Sequence, residues 1–210
     1  MAPTSFRVQG WDPILILCQI FALQSLHYLS LSIIIPPLLT LFAEPNALAY
    51  AGGASNVGML MDWREMAGLP GGAGWDASWV GAWSGGKKLG AGYTSGLGEE
   101  AGLDARRAWL IAYAWLIASA IDIYYLYTLV RRPTHILDFA ITLLFNHLVL
   151  TTYYTASFPT SLFYWLIVGA GTAIMVIFAE HLCVKREMRE GLGGSDDTGD
   201  TVELGALRRD

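Results

Sequence analysis

Charge is scarce in this chain. Only 15% of its 210 residues are Asp, Glu, Lys or Arg, where a soluble domain carries roughly a quarter, and nearly all of them fall outside four long apolar runs. An excess of positive charge is missing too: the formal net charge is -5. Phosphate contacts need clustered Lys and Arg, so nucleic-acid binding is excluded. Cysteine is almost absent. Cys18 and Cys183 cannot build a disulfide framework, and the default reading is a reduced pair. Cys183, at a membrane exit, is a candidate for palmitoylation but is read as an inert thiol. Gly-x-Ser-x-Gly, a phosphate-binding loop, Cys-x-x-Cys and a dinucleotide fingerprint are all lacking. The chain is therefore read as no enzyme, with no cofactor.

What the chain does have is apolar length. Hydrophobic residues make up 54% of it, and the mean hydropathy is +0.42. A hydrocarbon layer about 30 Å thick takes roughly 20 apolar residues at ~1.5 Å each. Four runs meet that length, at about 14–35, 108–130, 136–154 and 159–183. They predict an all-α membrane protein, a bundle of four transmembrane helices. Asp12 and Pro13 suit the start of the first, and Pro36-Pro37 predicts its end or a kink. A signal peptide is the alternative for this run, but a basic leader and a small-residue cleavage pattern are missing. Trp109, Tyr113, Tyr153, Tyr154, Tyr164 and Trp165 suit an aromatic belt.

Residues 43–107 form one long connection that holds more than half of the 23 glycines, together with Trp63, Trp75, Trp79 and Trp83. Such a composition disfavours regular structure, and the tryptophans are expected at the membrane interface. Residues 191–210, rich in Gly, Asp and Thr, predict a disordered cytoplasmic tail. Orientation follows Lys and Arg in short flanks. Arg131-Arg132 and Lys185, Arg186 and Arg189 agree on both termini facing the cytoplasm, which makes 43–107 lumenal. Arg106-Arg107 and Lys87-Lys88 run against the rule.

Ionisable groups within a span are costly and become candidate sites. One layer lies toward the cytoplasmic ends: Asp12, Arg131, Arg132, Asp138 and Glu180, read as either interfacial ion pairing or a docking cluster. A deeper layer comprises Gln24, His27, Asp122, Asn146 and His147. It is read as interhelical hydrogen bonding, with a proton or ion path as the rival. A metal on His27, His147 and Asp122 is disfavoured by the absence of ligand spacing. His135 or His181 could be nominated for a lipid-modifying enzyme, and each is more simply an interfacial histidine. Gly169, Ala170, Gly171 and Ala173 permit close helix contact, within the chain or in a homo-oligomer.

Trp11-Asp12-Pro13 with Leu15, Ile16, Gln19 and Ile20 resembles the opening of the Sys-one family of Golgi integral membrane proteins. Arg131-Arg132, Leu137-Asp138-Phe139, His147-Leu148, Phe158-Pro159, Trp165-Leu166, Glu180, Leu182-Cys183 and Glu187 are similar to the same family in the same order. The resemblance implies four spans, residence at the trans-Golgi, and a receptor for an Arf-like small GTPase with an acetylated N-terminus. It places the GTPase contact on Asp12, Gln19, Arg131, Arg132, Asp138 and Glu180. The connection 43–107, the acidic tail and Asp122 go beyond the family pattern.

Overall fold

The computed structural model describes residues 13–66, 105–130 and 133–206, with side chains excluded at 50, 105, 133 and 190–206. Trp75, Trp79 and Trp83, like Asp12, Arg131 and Arg132, lie outside the described residues. The order is α1 (Pro13–Phe42), α2 (Pro45–Tyr50), α3 (Gly58–Met61), a 3-10 turn (Trp63–Met66), α4 (Ala105–Leu129), a second 3-10 turn (Pro133–His135), α5 (Ile136–Thr155) and α6 (Leu162–Ala206). No strand occurs among the described residues. Helices α1, α4, α5 and the 162–189 part of α6 are each long and apolar enough to cross a bilayer. The fold is thus all-α with four candidate spans.

The helix α1 continues past Pro36 and Pro37 to Phe42, so the prolines do not end it, one of the two outcomes the sequence predicts. Its buried stripe gives the reason. Leu23, His27, Leu31, Ile35 and Leu39 repeat every four residues and are all nearly inaccessible. The stripe continues across the prolines, and helix-helix contact offsets the missing backbone donors. The opposite face, with Leu29 and Ile33, is exposed, as lipid contact requires.

The central helix is α4, which packs against α1 on one side and α6 on the other. Two apolar layers stack along it. One gathers Leu31, Ile35, Ile111, Trp115, Phe163 and Tyr164; the other gathers Leu23, Leu126, Phe139, Leu143, Met175 and Cys183. The polar side chains described below lie between them. Ile16 and Ile20 of α1 join the second layer beside Val130 and Cys183. The start of α1 therefore lies at the same end as the exit of α6. Of the small residues on α6, Gly171 meets Ser119 of α4, whereas Gly169 faces open space.

The start of the long connection is folded, which composition conceals. Gly52 and Gly53 turn the chain after α2 at φ 90° and 86°, angles that favour glycine. The next segment then caps the bundle. Met59, Trp63 and Met66 are buried in the first apolar layer, so Trp63 is a core residue, not an interfacial one. Thr151 of α5 donates a hydrogen bond to the Met61 carbonyl. Arg107 and Glu65 form an ion pair at 2.8 Å, with side chains only 3% and 1% exposed. Asp62 binds Arg64 through both carboxylate oxygens at 2.9 Å and raises the pKa of that guanidinium. At the other extreme, the α6 backbone stays helical to Ala206, past the point where composition predicts an unfolded tail.

Candidate functional site

The deep polar layer converges. His27 takes a core position on the α1 stripe, and Asp122 is fully buried on α4. The His27 Nδ1 to Asp122 Oδ2 distance is 2.6 Å. With the carboxylate accepting, Nδ1 carries the proton. One residue on, the Tyr28 hydroxyl meets His147 Nδ1 of α5 at 2.9 Å. Trp115 stands between the two imidazoles, its ring centroid 5.0 Å from His27 and 4.4 Å from His147. Ser30 and the Tyr125 hydroxyl add a further α1–α4 contact at 2.9 Å. Three of the five residues expected in this layer, His27, Asp122 and His147, thus share one cluster. Gln24 is one turn before Tyr28, and Asn146 is half-buried outside the cluster.

A cavity of about 20 Å³ lies against His27, Trp115, Ser119, Asp122, His147 and Thr172. That volume suits a single water and no larger solute. Among the described residues no group of three or more His, Cys, Asp and Glu side chains is arranged for a metal. The arrangement ties α1, α4 and α5 together by hydrogen bonds shielded from water. A double-mutant cycle on His27→Ala and Asp122→Ala, read by unfolding in bicelles, is expected to give a coupling of about 0.6 to 1.7 kcal/mol. Strictly additive single effects would show that the pair ties nothing together.

Of the charged cluster expected at the other layer, Asp138 and Glu180 are among the described residues, as is Gln19. Gln19 Nε2 donates to the Leu129 carbonyl at 2.7 Å, so this side chain caps α4. Asp138 points outward with its side chain 75% exposed, 3.6 Å from His135. Glu180 is half-buried on α6, and His181 is exposed. Arg186 emerges as the residue that organises this end. It donates to the Tyr127 carbonyl at 2.8 Å and the Val130 carbonyl at 3.3 Å. Its guanidinium also lies 4.7 Å from the Tyr127 ring. A cation on the last carbonyls of a helix satisfies groups that have no partner within it and complements the dipole. The sequence signal was its place three residues after Cys183, next to the buried face. Cys183 itself is fully buried, its sulfur 3.8 Å from the Val130 carbonyl.

Comparison with known proteins adds an independent observation. Residues 99–192, spanning α4, α5 and most of α6, match the family described as integral membrane protein S linking to the trans Golgi network. Over 184 residues the chain is 25% identical to "Protein SYS1 homolog" of Nematostella vectensis, covering 88% of each chain. No solved structure matches. These matches bear out the resemblance to the Sys-one family of integral membrane proteins that the residues of the spans carry.

Proposed function

We propose that this chain is a Golgi membrane receptor or adaptor that recruits an N-terminally acetylated Arf-like small GTPase to the trans-Golgi, supporting vesicle trafficking and the recruitment of tethers. The observation that carries the reading is the match of residues 99–192 to a family described by its link to the trans-Golgi network. Two physical arguments favour it. The cavity beside His27, Asp122 and His147 is water-sized, which suits a scaffold better than a conduit. A GTPase whose amphipathic helix is merely acetylated is a weak membrane anchor, because stable attachment generally takes two signals; a membrane protein partner supplies the second. With both termini in the cytosol, Asp138, which is exposed, and Glu180, which is half-buried, lie toward the GTPase side.

Replacing Asp12 and Asp138 together by alanine is expected to release the GTPase into the cytosol, scored by fractionation. Undiminished recruitment by a well-folded double variant would remove these residues from the contact. The second reading is a small-solute or proton transporter. It draws on the convergence of His27, Asp122 and His147. Asp122→Asn with His147→Gln would then abolish flux into sealed vesicles; under the receptor reading it leaves recruitment intact.

A further inference from the structure

The exit of α6 carries a groove of about 350 Å³ lined by Tyr127, Leu182, Lys185, Arg186 and Arg189. Leu182, Lys185, Arg186 and Arg189 follow the i, i+3, i+4, i+7 spacing that puts side chains on one helix face. That face is turned toward the last turn of α4, which contributes Tyr127. By the same spacing Glu187 falls on the far side of α6. The two carbonyl contacts and the Tyr127 ring fix Arg186 in place as a wall of the groove, while Lys185 and Arg189 are exposed. Depth follows from length. About 20 residues of helix cross the hydrocarbon, so a span that starts at Leu162 leaves it just before Lys185.

We infer that this groove binds the phosphate-bearing headgroup of an anionic phospholipid. Lys185 and Arg189 meet the phosphate oxygens as cations in reach of the headgroup plane. Arg186 fixes the positive wall beside them, and Leu182 contacts the start of the acyl region. A lipid rather than a soluble anion is the occupant because the groove has an apolar floor on its bilayer side and a basic rim on the other. Basic pockets at helix exits take phospholipid headgroups by this division of labour. The inference rests on the chain spanning a bilayer and is independent of the GTPase, so its failure leaves the receptor reading untouched.

The test is native mass spectrometry of the full chain released from micelles containing phosphatidylinositol phosphate, phosphatidylserine or phosphatidylcholine. The expected result is retention of the anionic lipids, the phosphorylated inositol lipid above all, over phosphatidylcholine. K185Q with R189Q, both at exposed positions, is expected to weaken retention about tenfold or more, with helix content and thermal midpoint unchanged. K185E with R189E should abolish it. Equal retention of phosphatidylcholine, undiminished binding by either double variant, or displacement of the lipid by millimolar inorganic phosphate would each overturn the assignment.

Discussion

Replacing Glu65 with alanine is expected to destabilise the folded chain by about 3–5 kcal/mol, the usual cost of removing one partner of a buried ion pair. The cause is what remains. Arg107 sits 2.8 Å from Glu65 with a side chain 3% exposed, and a guanidinium cannot discard its proton to escape the penalty. Glu65→Gln keeps an acceptor and should cost less. Glu65→Leu combined with Arg107→Met removes both charges, and much of the lost stability should return, since well-packed apolar replacements of buried pairs are often neutral. Unfolding by graded denaturant in bicelles measures all three. If the alanine variant unfolds with the parent, Glu65 and Arg107 are not the closed pair described here.

Gly171→Leu should separate α4 from α6. A Cβ at this position would stand 2.5 Å from Ser119 Oγ, closer than Cβ atoms of folded proteins approach, and a tight 3.3 Å from Ser119 Cβ. Ser119 has little freedom to yield, because it is buried and its hydroxyl is bonded to the Trp115 carbonyl at 3.0 Å. Overpacking of this kind costs about 1–3 kcal/mol. Gly169→Leu, two residues earlier and with nothing within 4 Å, is the silent control. Removing the obstructing oxygen with Ser119→Ala should make Gly171→Ala tolerable. Equal losses at positions 169 and 171 would mean that bulk on this helix is felt for some reason other than its contact with α4.

The spans were legible because lipid imposes one rule on every residue of a crossing helix. Charge is excluded and about 20 apolar residues are required, so four runs could be counted without knowing their partners. The partners were less legible. Gln19 enters the docking set only through the family resemblance, and its amide serves a backbone carbonyl at Leu129; no side chain in the sequence announces that acceptor. Trp63 and Glu65 sit in a stretch whose glycines suggest loose chain, and their burial depends on Arg107 and Thr151 far along the sequence. Residue type did suffice for His27, Asp122 and His147. In an apolar span a polar group that finds no partner is expensive, and these three were expected to be in one layer. The same logic fails at the ends of helices, where water satisfies charge; Asp138 accordingly turns outward.

The segment that closes the bundle also sets an order of assembly. Its acid, Glu65, is matched from the second span and its Met61 carbonyl from the third, although it leaves the ribosome ahead of both. During synthesis this segment waits with its polar groups in water until two later helices are in the bilayer. A chain interrupted after its second span can satisfy the acid but not the carbonyl. Closure, and with it resistance to proteolysis on that side, is thus a late event that reports on insertion through the third span.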